Sequence, residues 1–267
     1  MTHSTMKNKL KNLFTSLGSI LIWVAVWQIC ADIVNHPYFL PGVSDTFSSF
    51  IALVQRSEFY RAVILTLLRV IFGLFIGVSL GVGLAILSHH VKPIRILLTP
   101  LISVMKATPV ASFIVLLWIL LSSDAIAVVI AVMMVMPIIW QNILDAYSSI
   151  DKETEEMCRA YEFSRVKKFK LLTLPTLLNF FIPSLVTSIG LAWKSEIAAE
   201  IIAYTTNSIG QYINDAKYNL HTSEVFAWTL VVIILSIIFE RLARCILASL
   251  TQKRRGGFYD VANKRSL

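Results

Sequence analysis

Five ionisable residues, Arg69, Lys106, Lys194, Glu196 and Glu200, stand in or beside long apolar runs. If those runs lie in lipid, a charge at their centre costs on the order of 2.5–3.5 kcal/mol on insertion scales, so each must face protein, another charge or water. Glu196 and Glu200 are four residues apart and share one face of a helix. Lys194, two residues before Glu196, points elsewhere, so the partners of these groups belong to other helices. Two chemistries fit this set. One is a polar lining for a crossing solute, built mainly from the run that holds Lys194, Glu196 and Glu200, with Arg69 and Lys106 adding charge. The other is a set of interhelical ion pairs and snorkelling side chains. The balance tips to ion pairs for Arg69 and Lys106, and to the lining for Lys194 and Glu196.

Reaction chemistry has no foothold elsewhere in the chain. The sequence contains no G-x-x-x-x-G-K-[ST] phosphate loop, no H-E-x-x-H and no G-x-S-x-G. Cys30, Cys158 and Cys245 are odd in number, widely spaced and free of any C-x-x-C pattern, which points away from disulfides and zinc. His89 and His90 read as polar residues at the end of an apolar run, not as metal ligands. No catalytic residue, metal or cofactor is expected, and energy for any work must come from a partner.

The elements that hold the five charges are apolar helices. Of the 267 residues 56% are hydrophobic and only 15% charged, and the mean hydropathy is +0.71, whereas soluble domains are about a quarter charged. Runs near 13–34, 62–88, 97–121, 125–146, 176–203 and 225–249 are long enough to cross a hydrocarbon core of about 30 Å as helices. They lack the period-2 alternation of a membrane β-barrel. The fold class expected is therefore an all-α integral membrane protein with about six transmembrane helices.

The formal charge of +8 forms no single basic stripe, which argues against nucleic acid. It follows topology instead. With a cytoplasmic N-terminus, eighteen of the 24 basic residues fall inside: Lys7, Lys9 and Lys11, then Lys92 and Arg95, six from Lys152 to Lys170, and seven from Arg241 to Arg265. Only Arg56, Arg61 and Lys217 fall outside. The positive-inside rule thus predicts a multi-pass protein of the cell membrane with both termini cytoplasmic. The first run exceeds the usual apolar stretch of a signal peptide, and Ile29 before Cys30 does not suit lipoprotein cleavage.

Three further features bear on packing. Residues 36–42 read as a turn, with Ser44 or Asp45 capping a short surface helix to about Val54. Gly73, Gly77 and Gly81, spaced by four with Gly83 nearby, make one face of the second run smooth enough for close helix packing. Pro100, Pro109, Pro137 and Pro183 lie in or beside runs and predict kinks.

The longest inside loop, 147–175, mixes both charge signs with good helix formers, as an ordered segment offered to a partner would. It reads Glu156-Met157-Cys158-Arg159-Ala160-Tyr161-Glu162-Phe163-Ser164-Arg165 and then Phe169-Lys170-Leu171-Leu172-Thr173-Leu174-Pro175. This resembles the EAA loop of permease subunits of binding-protein-dependent ABC importers. Glu156 matches that pattern's acid, Ser164 its frequent serine, and Leu172, Leu174 and Pro175 its ending. Met157 and Cys158 replace two small residues, and Glu162 stands where the family usually has glycine, a residue that opens backbone turns costly to others. The resemblance implies a short helix seated in a groove of a motor protein, with Ala160, Tyr161 and Phe163 as apolar anchors and Glu156, Arg159, Glu162 and Arg165 as orienting contacts.

The likeness extends over about residues 61–250, toward the branch that handles nitrate, sulfonates and taurine. Leu40-Pro41-Gly42, Leu67-Leu68-Arg69-Val70-Ile71-Phe72-Gly73, Lys106-Ala107-Thr108-Pro109, Gly190-Leu191-Ala192-Trp193, and Gly210 with Asp215-Ala216 resemble segments of that branch in the same order. It divides the chain into an N-terminal helix and outer-surface segment at 1–60, a permease core at 61–250 and a basic cytoplasmic tail at 251–267. It implies a type I importer fold, a permease homodimer, two cytoplasmic ABC ATPase subunits and an extracytoplasmic solute-binding protein. A basic lining suits a small anion, while the glutamates equally suit a zwitterion or a cationic heterocycle. Two rivals remain: a stand-alone secondary transporter or channel, for which internal repeats are missing, and a membrane enzyme, for which a reactive cluster is missing.

Overall fold

The computed structural model describes the backbone of residues 2–263 and the side chains of residues 18–245 with Leu247. The basic side chains of Lys7, Lys9 and Lys11 and of the tail 251–267 lie outside that description. Among the described residues all regular structure is helical: α1 (Thr2–Val34), α2 (Val43–Val54), α3 (Ser57–His90), α4 (Lys92–Ala107), α5 (Val110–Trp118), α6 (Ser123–Ser148), α7 (Lys152–Ala160), α8 (Arg165–Lys168), α9 (Leu174–Ile202), α10 (Ile209–Tyr218) and α11 (Thr222–Asn263), with a π-helical turn at Phe169–Thr173 leading into α9.

Four stretches are individually long and apolar enough to cross a membrane: Ser57–His90, Ser123–Ser148, Arg165–Ala203 and Thr222–Cys245. The run expected to cross as one helix at 97–121 does not. It is α4 and α5, bent by 102°. The cause is Pro109, which has no N–H and forces the preceding Thr108 into extended geometry (φ −78°, ψ 131°). Taken together as one broken span, the pair would bring the number to five. Pro100, Pro137 and Pro183, by contrast, sit inside continuous helices. The side chains described for the first run begin at Gly18, and Gly18–Val34 is the apolar described part of α1.

One compact unit comprises the chain up to Arg61 with Tyr212–Val232. Its α2 begins earlier than expected: the residue before the helix is Gly42, and neither Ser44 nor Asp45 caps it. The exposed N–H of Val43 is instead taken by Gln28 Oε1 of α1 at 2.9 Å, and Trp27 Nε1 donates to the Pro41 carbonyl at 3.2 Å. A distant side chain thus does the work of a local cap. In the same unit Trp228 is stacked between Phe59 and Tyr212, each 5.4 Å away centre to centre.

The other unit comprises Ala62–Gln211 and the chain from Ile233 on. Here the glycine stripe of α3 meets α6. A Cβ on Gly73 would lie 2.6 Å from Ala131 Cβ, one on Gly77 2.8 Å from Val135 Cβ, and one on Gly81 2.8 Å from Ile139 Cβ. The absent side chains let the two backbones approach, whereas Gly83 faces open space. On another side α6 packs with α5 and α9 around Ile114, Ile126, Ala127, Ile130, Ala199 and Ala203. Large apolar side chains such as Phe72, Phe75 and Ile96 remain exposed, as a surface solvated by lipid tails allows.

Candidate functional site

At its C-terminal end α9 closes through a left-handed Tyr204 (φ 52°), with the Thr205 N–H returning to the Glu200 carbonyl at 3.1 Å. This hairpin brings the first turn of α10 onto Glu200. Only glycine fits at 210, because a Cβ there would press on Glu200 Cβ and on the Ile201 amide nitrogen. The Gly210 N–H then donates to Glu200 Oε2 at 3.2 Å, so the amide end of α10 serves the carboxylate. From α3, Thr66 Oγ1 donates to Glu200 Oε1 at 2.8 Å and accepts from the Ile209 N–H at 3.2 Å. Arg69, one turn further along, spans three partners: Glu200 Oε1 at 3.2 Å, Asp124 Oδ1 of α6 at 2.7 Å and the Thr206 carbonyl at 3.1 Å. Glu200 is wholly buried and the Arg69 side chain only 13% exposed. The result is a latch that ties α3, α6, α9 and the start of α10 together.

Of the five charges singled out from the sequence, the fold brings together Arg69 and Glu200 by direct contact. Glu196, a turn before Glu200, is wholly buried, and neither carboxylate oxygen has a hydrogen-bond partner. Lys194 and Lys106 are exposed on α9 and on the last turn of α4. Thr66 and Asp124 were not foreseen as partners. Thr66 had one signal, lying three residues before Arg69 on the same helical face. Asp124 had only its place in the first turn of α6.

At the other end of α9 the loop 147–175 is built from local interactions. Asp151 caps α7 by accepting from the Thr154 N–H at 3.4 Å, and Ser164 caps α8 by accepting from the Lys167 N–H at 3.3 Å. Between them the chain makes a Schellman turn: the Phe163 N–H reaches the Cys158 carbonyl at 2.9 Å and the Glu162 N–H the Arg159 carbonyl at 3.0 Å. Glu162 takes the left-handed position (φ 48°), so the turn that glycine would permit is formed with a side chain in place. Lys168 and Glu155 pair at 2.7 Å, which holds the two short helices together. The hydrogen bond from Lys168 keeps the Glu155 carboxyl below its usual range. Cys158 is buried beneath, while Glu156, Arg159, Ala160, Tyr161, Glu162, Ser164 and Arg165 are exposed. Phe163 is half-buried, with the Lys167 ammonium 4.0 Å over its ring. Tyr161 at 73% and Val166 at 62% exposure are apolar surface presented by this loop.

Residues 73–252 match the family of binding-protein-dependent transport system inner membrane components. The chain is 22% identical over 226 residues to a permease of Bacillus subtilis assigned to aliphatic sulfonate transport, covering 84% of this chain and 81% of that one. It is 22% identical to the taurine transport system permease protein of Escherichia coli, covering 88% of each, and 23% identical to a bicarbonate transport system permease protein of Synechococcus elongatus, again covering 88% of each. Among solved structures, a bacterial ABC transporter involved in importing the acidic polysaccharide alginate superposes with a TM-score of 0.61 at 18% identity, over 92% of this chain and 99% of that one. A chain of an amino acid ABC transporter gives 0.62 at 17% identity, over 77% and 98%.

The fold is that of type I ABC importer permeases, and the chain belongs to the binding-protein-dependent permease family. It is a multi-pass inner-membrane protein, the membrane-spanning permease subunit of an ATP-driven importer, and its role is transport.

Proposed function

We propose that this permease works as a homodimer driven by separate ABC ATPase subunits, which dock on the cytoplasmic loop 147–175 and use Glu156, Arg159, Ala160, Tyr161, Glu162, Phe163, Ser164 and Arg165 as the contact. The observation that carries this reading is the loop itself. Two short helices, capped at Asp151 and Ser164 and braced by the Lys168–Glu155 pair, present exposed Tyr161 and Val166 among charged neighbours. An apolar anchor with polar flanks on a preorganised helix is what groove docking requires. The π-helical turn runs directly from α8 into α9, so a push on the loop reaches a membrane span without a slack linker. In this reading both termini are cytoplasmic, 1–60 forms an N-terminal transmembrane helix and outer-surface segment, 61–250 the permease core, and 251–267 a basic cytoplasmic tail.

The solute is a small anion, of the kind that the aliphatic sulfonate and bicarbonate relatives are named for, delivered by an extracytoplasmic binding protein. Of the five charges, Glu200 and Arg69 are consumed in the latch and Glu196 is enclosed. Lys194 and Lys106, exposed and cationic, are then the members of the set available to line a pathway. Uptake of a labelled sulfonate into proteoliposomes tests the whole reading. Permease, ATPase and binding protein together should transport with ATP inside, and Lys194→Ala should weaken uptake. Equal uptake by the permease alone would contradict it and favour a stand-alone transporter or channel.

A further inference from the structure

Glu196 is the one ionisable group of the core whose state the latch does not explain. It is wholly buried within α9, and both oxygens lack a hydrogen-bond donor. Glu200, four residues on, has the opposite setting, with donors from Thr66, Gly210 and Arg69.

Charge counting sharpens the contrast. The cation of the latch, Arg69, already faces two carboxylates, Glu200 and Asp124. An ionised Glu196 would add a third negative charge, and among the described residues no second cation stands beside it. The described side chains of the elements around α9 do not supply one. Packed against it, α5 (Val110–Trp118) carries no titratable side chain. The titratable groups of α6 are Asp124, committed to Arg69, with Asp145 and Tyr147 toward its other end. Glu240 of α11 approaches α9 at Gly190 and pairs with Arg244 of its own helix. Lys194, on α9 itself, is exposed and two residues away, so it points off this face. The other buried side-chain atom without a partner among the described residues is the Ser188 hydroxyl, which is neutral. A buried ion without a partner forfeits its hydration for nothing, whereas a neutral acid gives up far less.

We propose that Glu196 is a proton-binding site inside the permease, held as a neutral carboxylic acid for as long as α9 stays packed in the bundle. It takes no part in binding the solute in this conformation, because its carboxylate is wholly buried. The proton is the ligand: both oxygens at 196 lack a donor, and Arg69 is already shared between Glu200 and Asp124, so a charge there has nothing to offset its burial.

Infrared spectroscopy of the full-length permease in lipid, assembled with its partners, reads the site without reference to transport. At neutral pH the wild type should show the C=O stretch of a buried protonated carboxyl, slow to shift in deuterated water, and Glu196→Gln should remove that band. Because Gln matches the neutral acid in shape and charge, the Glu196→Gln complex should also keep its thermal midpoint. Absence of the band from the wild type, its persistence in Glu196→Gln, or a fall in the midpoint on making that neutral replacement would each overturn the proposal. None of these results depends on which chain docks at 147–175.

Discussion

The two ends of α9 are held by opposite kinds of interaction. At its C-terminal end Glu200 is buried under contacts from residues 131 and 134 positions away in sequence, Arg69 and Thr66. Before its N-terminal end, the hydrogen bonds and the ion pair of the loop 147–175, from the Asp151 cap to the Lys168–Glu155 pair, join residues no more than 13 apart, most of them at the surface, and Tyr147 at its start stacks on His89 of α3. About 43 Å of helix separates the two, at about 1.5 Å per residue. The difference fits a division of labour. A buried, multiply bonded latch keeps helices in register, whereas a locally folded, exposed segment keeps its shape while it exchanges partners. The first should fail by unfolding the bundle and the second by losing coupling.

The sharpest way to break that contrast is at the latch. Arg69→Ala leaves Glu200 buried without its cation and should cost about 3–5 kcal/mol, read as a fall in the thermal midpoint of the purified permease. A double-mutant cycle with Glu200→Gln should return a large coupling; additive losses would mean that the two residues do not act on each other. Next in size is the α3–α6 seam. Gly77→Leu inserts a side chain where even a Cβ would lie 2.8 Å from Val135 Cβ, and should cost about 1–3 kcal/mol or more. The same change at Gly83, which faces open space, should be nearly silent by the same assay.

At the loop the effects should be smaller and of another kind. Glu162→Gly relieves a left-handed side-chain-bearing residue and should stabilise the turn by about 1 kcal/mol, seen as slower amide exchange in α7 and α8. The Lys168–Glu155 pair is about one-third exposed and worth at most about 1 kcal/mol. Since the fold lowers the Glu155 carboxyl, its contribution is complete above the ordinary carboxylate range and is lost as pH falls through the lowered value. Lys168→Met should therefore raise exchange in the loop at neutral pH and abolish any further rise on acidification.

The same contrast explains what could be read from the amino acids. The loop was legible because its determinants are neighbours in sequence: helix formers, charges of both signs and the run ending at Leu174-Pro175. Even Glu162 announced itself as the residue standing in a turn position. The glycine spacing of α3 likewise announced a close-packed face, though not that Ala131, Val135 and Ile139 of α6 would fill it. The latch was half legible. A charge in an apolar run declares that it needs a partner, and Arg69 and Glu200 did so. Their pairing, and the service of Thr66, Asp124 and the Gly210 amide, depends on the packing of separate helices, which no local pattern encodes. The 102° break between α4 and α5 was missed because hydrophobicity continues through it while Pro109 alone redirects the backbone. Ser44 or Asp45 reads as a local cap for α2, whereas Gln28 of another helix accepts from the Val43 N–H at its start.

The most direct test of the account lies at Tyr161. A cysteine placed there in an otherwise cysteine-free permease should be labelled by reagents only from the cytoplasmic side, and should crosslink to the ATPase chain in the assembled importer. ATP-driven uptake should fall when Tyr161 is replaced by Ala while the thermal midpoint of the permease stays unchanged. Labelling from the extracytoplasmic side, or undiminished transport without that side chain and no crosslink to the ATPase, would contradict the claim that a motor grips this loop to move the spans.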